Sequence, residues 1–564
     1  MKLNKILIFG TIALGLGATS CVGDLNLDPI DPNLYTDTES PDFYKQALGE
    51  CYSIMAVSGQ QGPGSSIISG LDNGRGQYTR AIFMMNEFTT DECLWVWKDD
   101  GIYDLVTCTF GASNGNIYGT YGRLYAHIAV CNQFINSIPE DTPDAEMLEM
   151  RNEARALRAM SYYWALDIFG NPSFTLDSPD GINEPGQIKR NDLYKWLEEE
   201  LIFLVDESNL SSSPLYGRVG KDGAEALLAR LYLNAGVYTG TTQWSKCAER
   251  CQNIIERHEG QSVYGGLTES YLALFAKNNS QYMPGGGGNV NEILWGIAYD
   301  SQYTQTYGGT TFLVASEVSA NLGMDYRRYG VSSPWTCLKA RQNLSELFAP
   351  WNSKSGNVPN GQGSLYSDDA RASQWIAGNV NFVDNGQESS QEVTIQNTEI
   401  GEWSNGYTVI KWTNIDANED GSLNFLTDPD KATEFVSTDL ALIRLADVYL
   451  MYVECYVREK ASALPTNALK YMNYVRNRAK IEPYTSINQI DLPEVINERG
   501  RELYWEMTRR SDLIRFDMYT GNSYLWSWKG NVLEGTGIAD RYKLMPIPTN
   551  IIAAQPSFNQ NPGW

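Results

Sequence analysis

Basic residues are scarce in this chain: 43 Lys and Arg stand against 68 Asp and Glu, for a formal charge of −25. Nucleic acid is thereby excluded as a partner, because no basic stripe exists to neutralise phosphates and release their counterions. The acidity speaks for solubility and says little about fold. Histidine is scarcer still, with only His127 and His258 in 564 residues, so metal chemistry is short of its commonest ligand. Each histidine has an ordinary place. His127 lies in the apolar stretch "RLYAHIAVC", and His258 ends a helical stretch where a cation suits the dipole. No nucleophile elbow, phosphate loop or metalloprotease helix occurs. There is no CxxC pair either; Cys247 and Cys251 sit four apart and share a helix face. The eight cysteines beyond Cys21 are spread through a large apolar-rich chain without a disulfide-framework spacing, and read as buried free thiols.

What is present begins at the N-terminus. Lys2 and Lys5 precede "ILIFGTIALGLGA" (6 to 18), too short to span a bilayer but suited to the h-region of a secretory signal. It runs into "GATSC", which resembles the lipobox that a bacterial lipoprotein signal peptidase cleaves just before the cysteine. Residues 1–20 are therefore expected to be a leader and 21–564 the mature body, with Cys21 lipidated. More than one acyl chain on that residue makes anchoring stable, where a single chain is marginal. A lipid anchor on Cys21 is the expectation.

Helical periodicity is strong over 40–57, 116–138, 143–169, 191–208, 219–237, 243–258, 437–460, 466–480 and 491–517. In "DGAEALLARLYLNAGVYTGTTQWSKCAERCQNIIERH" (222 to 258), Ala and Gly allow close helix packing, while Tyr232 and the Trp and Ile residues fill the groove. That is a degenerate tetratricopeptide-type hairpin, of the kind that stacks because neither helix can bury its stripe alone. From 259 to 436 the composition turns to Gly, Asn, Ser, Tyr and Thr, with "MPGGGGNVNE" at the extreme, which predicts turns and short strands. The fold expected is mainly α: a tetratricopeptide-like helical-hairpin scaffold at about 36–258 and 437–517 carrying a loop-rich insertion at about 259–436. Loops that long are usually functional when a rigid scaffold holds them.

Two motifs suggest chemistry. "DANEDGSLNFLTD" places Asp416, Asn418, Asp420 and Gly421 at calcium-loop offsets, but Thr427 stands where the bidentate Glu belongs. An Asp-Gly turn between strands explains the same residues better. "INERGRELYWEMTRRSDLIRF" (496 to 516) interleaves Glu498, Glu502 and Glu506 with Arg499, Arg501, Arg509 and Arg510. Paired carboxylates invite a glycosidase reading, yet ion pairs along and between helices account for this spacing. No cofactor is called for.

Aromatics stand out instead, with 34 Tyr, 17 Phe and 15 Trp. Rings in polar loops expose apolar area that a ligand would cover. Sugars suit such a surface, since a pyranose has an apolar C–H face and a rim of hydroxyls for charged and amide side chains.

Several stretches together are similar to the SusD/RagB outer-membrane lipoproteins. They are the lipobox cysteine with "DLNLDPIDP", "NEFTTDECLWVW", "RNEARALRAMSYYWALDIFGNPSF", "ARLYLNAGVYTG", "KWTNIDANEDG", "IRLADVYLMYVEC" and "ERGRELYWEMTRRSDLIRF", and the likeness runs from Cys21 to the C-terminus. The resemblance implies a tetratricopeptide-based scaffold with a loop-borne glycan-binding face, working as a hinged lid on a SusC-like TonB-dependent transporter. It is strongest to the family's starch-binding founder, whose site is an aromatic arc with Asp, Arg and Asn beside it. Matched motif by motif, the arc falls on Trp97 in "LWVWKDD", Tyr307 in "TYGGTTFLV" and Trp335 in "SSPWTCLKAR", with Arg80 in "QYTRAIF" and Asp72 in "SGLDNG". Asp100 replaces the founder's asparagine, and a carboxylate accepts from hydroxyls but cannot donate.

The resemblance thus implies a non-catalytic binder of starch-type α-glucan, with another glucan or a hemicellulose as the alternative ligand. Two other classes stay open: a glycoside hydrolase using Glu92 and Asp99, and a protein-binding adaptor whose aromatic face is incidental. Within "TTDECLWVWKDDG" only Trp97 matches the arc. Trp95 reads as a packing residue, with Asp91 and Glu92 holding its turn.

Overall fold

Apolar residues at three- and four-residue spacing dominate the first half of the chain, and the backbone answers with long helices. The computed structural model describes residues 41–71, 74–177, 185–206, 209–322, 325–355, 363–384, 387–459 and 467–564. The expected leader, Cys21 and Asp72 lie outside the described residues. The chain divides into two units, 1–49 and 50–564; of the first only 41–49 is described, as the opening of α1 (Pro41–Ala56).

In the larger unit α2 (Tyr78–Asn86) is followed by strand β1 (Cys93–Trp95), α3 (Gly115–Ser137), α4 (Ala145–Phe169), α5 (Arg190–Asp206), α6 (Lys221–Leu233) and α7 (Trp244–His258). Asn114 caps α3 and Asp144 caps α4, each side chain accepting from two free N–H groups of the first turn. Gly170, at φ 71°, ends α4. Neighbours in sequence are neighbours in space: α3 packs on α4, α4 on α5, α5 on α6 and α6 on α7. In α6 Ala224, Ala226 and Ala229 are fully buried, and a Cβ on Gly223 would lie 2.8 Å from the Leu294 carbonyl. Gly223 thus lets α6 approach the strand Ile293–Ile297 and not another helix, while Tyr232, Ile254 and Ile255 are buried as expected. The fold is mainly α.

Five further strands and five helices matter below: β2 (Ile293–Ile297), α8 (Gly309–Glu317), β3 (Leu338–Ala340), β4 (Gly378–Asp384), β5 (Gln387–Val393), β6 (Leu440–Arg444), α9 (Leu445–Glu459), α10 (Ala468–Arg478), α11 (Leu492–Leu503) and α12 (Arg509–Arg515). The strands pair in twos, β1 with β3, β2 with β6 and β4 with β5, all antiparallel. Three expectations need correction. Residues 440–444 of the expected helix 437–460 form a strand, because the wholly buried run "LALIR" has no polar face to fix a period. The expected helix 491–517 breaks at Tyr504–Thr508, where Trp505 and Met507 take φ of 62° and 64°. A helix, α8, also stands within the segment expected to hold only turns and strands.

The acids and arginines of 496–516 build a buried ionic network. Glu502 binds Arg371, Arg444 and Arg478; Glu498 binds Arg371 at 2.7 Å; Glu506 binds Arg444 at 2.6 Å and Lys411 at 2.7 Å. Burial alone would raise these three carboxyls, but the facing cations outweigh it and hold all three below the ordinary glutamate range. Ion pairing between elements is therefore their role, and none faces solvent as a glycosidase acid would. All eight described cysteines are buried free thiols.

Candidate functional site

Strand pairing brings the first two rings of the expected arc together. In the β1–β3 ladder Trp95 lies opposite Leu338, and the Val96 N–H donates to the Cys337 carbonyl at 2.9 Å. Trp97 leaves one end of that ladder and Trp335 enters the other strand close by. The Trp335 N–H donates to the Ala315 carbonyl of α8 at 2.7 Å, and Tyr307 stands just before Gly308, the N-cap of the same helix. Three separate segments thus converge.

Trp335 is central. Its ring centroid lies 6.3 Å from that of Trp97, with the planes at 36°, and 6.4 Å from that of Tyr307, at 44°. Trp97 is 44 % exposed, while Trp335 and Tyr307 are half-buried. The Tyr307 hydroxyl donates to Glu434 Oε1 at 3.0 Å, and Phe435 lies 5.4 Å from its ring. Partial burial and the Glu434 carboxylate raise the Tyr307 phenol above its ordinary value, so it stays protonated. Glu434 and Phe435 escaped sequence reasoning, since "KATEFVSTD" shows no period or motif that points to them.

Beneath the rings lies a packed layer. Trp95, 1 % exposed, stacks on Phe312 at 5.7 Å and meets Trp97 edge-on at 5.6 Å; its Nε1–H donates to Asp99 Oδ2 at 2.7 Å. Trp95 is thus the packing residue expected. Arg80, from α2, is also buried, its guanidinium carbon 4.7 Å from the Phe312 centroid and 5.6 Å from those of Trp95 and Trp335. Its Nη1–H donates to the Tyr307 carbonyl at 3.1 Å, which ties α2 to the loop carrying that ring. Asp100 is exposed at the rim, and its carbonyl accepts from Arg75 at 3.0 Å and Asn116 at 3.1 Å. The turn is fixed while the carboxylate meets solvent.

Asp91 and Glu92 do not hold the turn of Trp95. They point away, Asp91 to Arg509 and Tyr524, and Glu92 to the Trp505 N–H at 2.9 Å. Glu92 is 2 % exposed, and Asp99 accepts the Trp95 N–H, so the two do not flank an open cleft. The hydrolase assignment for Glu92 and Asp99 is corrected on that ground.

The "DANEDG" loop is a turn. Ala417 and Leu423 bridge antiparallel, Gly421 takes φ 76°, and Asp420 Oδ1 accepts from the Ser422 N–H at 3.0 Å and hydroxyl at 2.6 Å. Asn418 donates to the Ser422 hydroxyl at 2.9 Å, so local partners occupy the side chains a cation would need. Among the described residues no group of three His, Cys, Asp or Glu is placed to hold a metal. His127, pushed down to about 4 by burial, bonds Ser161 and the Cys51 carbonyl, and His258 pairs with Asp222 at 2.7 Å.

A family model described as the SusD family matches residues 291–564. "Starch-binding protein SusD" of Bacteroides thetaiotaomicron is 32 % identical over 98 % of this chain and 97 % of its own length. Among solved structures, a SusD superfamily protein from Parabacteroides distasonis superposes with a TM-score of 0.66 at 17 % identity, covering 94 % of this chain and 100 % of that one. Surface glycan-binding protein A of Bacteroides thetaiotaomicron, in complex with laminarihexaose, gives 0.63 at 18 % identity over 92 % and 99 %.

Proposed function

This chain belongs to the SusD family, and from that membership together with the ring arc we propose that it is a non-catalytic glycan-binding lipoprotein of the cell surface. It captures a starch-type α-glucan on Trp97, Trp335 and Tyr307 and delivers it to a SusC-like TonB-dependent transporter in the outer membrane. The observation that carries the reading is the position of Trp335 within 6.3 Å of Trp97 and 6.4 Å of Tyr307. Such a curved apolar surface offers successive sugar C–H faces something to lie on. Arg80, Asp72 and Asp100 are assigned as the partners of ligand hydroxyls. The 32 % identity to a protein named for starch binding favours an α-glucan. A β-glucan is the second reading, because a protein of the same fold is solved with laminarihexaose.

The magnitudes suit capture and release. If each ring shields roughly 100 Å² at ~25 cal/mol per Å², the gross gain is about 7 kcal/mol. Association costs at least ~4 kcal/mol. The remaining ~3 kcal/mol, before hydrogen bonds, corresponds to millimolar affinity for one short oligosaccharide.

Isothermal titration with α- and β-glucan oligosaccharides against the native protein, Trp97→Ala and Trp335→Ala tests the site. Undiminished binding by both variants overturns it, and binding of only the β-linked series moves the specificity to the second reading. Anchoring is tested separately by Cys21→Ser, which should move the protein out of the membrane fraction. Among the described residues no helix is long and apolar enough to cross a membrane. Co-purification with a transporter tests the delivery role.

A further inference from the structure

A second cleft, of about 440 Å³, opens where the segments around Asn343, Gln396 and Trp526 meet. That volume falls within the ~300–1,000 Å³ of small-ligand clefts. Its walls are rich in amides that both donate and accept. Asn343 gives its N–H groups to the Tyr524 hydroxyl and the Leu525 carbonyl at 3.2 Å, and its own carbonyl accepts from no described residue. Gln396 is exposed, and its side chain makes no hydrogen bond among the described residues. Glu346, which accepts from Gln342 at 2.7 Å, and the exposed Glu534 add carboxylates. Leu533, 37 % exposed, gives an apolar lip. At the floor Trp526 is 1 % exposed, and its indole N–H has no hydrogen-bond partner.

No lysine or arginine lines this cleft among the described residues, and two glutamates do. An anionic ligand is disfavoured at such short range, where salt screens little. What fits is a neutral chain of hydroxyls: each hydroxyl donates to a carboxylate or amide oxygen and accepts from an amide N–H. Trp526 lines the cleft beneath these groups, so its indole signal reports on their occupancy.

We propose that this cleft is a second binding site for a neutral polyhydroxylated chain, namely a further stretch of the glycan held on the ring arc. That choice of occupant rests on the reading of Trp97, Tyr307 and Trp335 given above. The two sites stand at the ends of one stretch of chain: Trp335 precedes β3, and Gln342 and Asn343 follow it. At ~3.4 Å per residue the chain from Trp335 to Gln342 spans at most about 24 Å, a separation one polymer can bridge. Occupying both sites raises the apparent affinity for a long chain through effective concentration, without new contacts at either site.

The test is NMR of the protein labelled with ¹⁵N at its tryptophan indoles, titrated with maltoheptaose. Trp526→Phe assigns the Trp526 resonance; should it not fold, the exposed Leu533→Ala marks the same resonance by shifting it. The Trp526 signal is expected to move to saturation both in the native protein and in the Trp97→Ala, Trp335→Ala double variant. In the Trp97→Ala, Trp335→Ala background Gln396→Ala should weaken the Trp526 titration threefold or more, while in the native background the Trp97 and Trp335 signals should still move to saturation. Movement of Trp97 and Trp335 with a still Trp526 overturns the second site and leaves the arc standing. Movement of Trp526 alone does the reverse, and stillness of all three signals with maltoheptaose and with laminarihexaose alike overturns both.

Discussion

Asp91 and Arg509, 418 residues apart in sequence, meet in a two-pronged buried ion pair, with Oδ1 to Nε at 2.8 Å and Oδ2 to Nη2 at 2.7 Å. Burial would raise the Asp91 carboxyl, but Arg509 and then Tyr524 outweigh it and hold it below the ordinary aspartate value. This pair fixes the root of the segment that ends in Trp97 against α12. Asp91→Ala removes the two-pronged partner of the buried Arg509 guanidinium and leaves it only Glu92, at 3.6 Å, and is expected to cost about 3 kcal/mol. The double variant Asp91→Leu, Arg509→Met is expected to regain most of that loss, since neither charge is then left alone. Urea unfolding of the three proteins checks both statements; a double variant no better than Asp91→Ala would contradict the argument.

Next to that pair, Glu87 and Glu92 are both buried, and their charges oppose each other. Burial first, and the Glu92 charge second, push Glu87 well above the ordinary value, while Glu92 itself rises to about 7. In the unfolded chain a glutamate ionises near pH ~4.3. Between that value and the raised one, the folded protein keeps a proton that the unfolded chain has lost. Stability contributed here is therefore complete at low pH and falls as pH rises. Glu87→Gln removes that fall, so the variant should gain about 1 kcal/mol or more over the native protein at pH ~8. Below pH ~4 the two should be alike. Denaturant melts across this range decide, and a gain that is equal at both ends would rule out titration as its cause.

The turn at Asp420 gives a prediction about metal. Because Ser422 and Asn418 already satisfy the polar groups of this loop, a calcium chelator is expected to leave the melting temperature unchanged. Gly421→Ala, by contrast, should destabilise by roughly 1–2 kcal/mol, the cost of a left-handed residue with a Cβ. That Cβ would also approach the Ser270 Cβ to 2.2 Å. A melting temperature that drops on chelation would restore the calcium reading of Asp416, Asn418 and Asp420.

How far the sequence foretold this structure depended on contrast between faces. The helices α3, α5 and α7 were legible because each has one wetter side, whereas α4 and α6 are buried all round over 156–169 and 223–233 and were legible by their length. All nine residues of α2 and all nine of α8 are buried, so their periods had nothing to alternate against, and both were missed. The strand at Leu440–Arg444 was read as helix for the same reason. The break at Tyr504 is set from outside the segment, by Glu92 receiving the Trp505 N–H. At the candidate site, Trp97, Tyr307 and Trp335 were found by family likeness rather than by any spacing of their own. Glu434 and Phe435 join them only through space.

Arg80 offers the sharpest test of how the arc is built. Its guanidinium lies against Phe312, Trp95 and Trp335, and donates to the Tyr307 carbonyl, so one side chain touches the supports of all three rings. Lysine carries the same charge but has no flat guanidinium to lie between rings while reaching that carbonyl. Arg80→Lys is therefore expected to weaken glycan binding by about 1 kcal/mol or more, a several-fold loss, even with the charge kept. Tyr307→Phe keeps the ring and loses only the bond to Glu434. It should cost less than Arg80→Lys if, as proposed, the arc binds through its ring faces. If titration calorimetry shows the order reversed, the Tyr307 hydroxyl and not the stacked framework sets affinity.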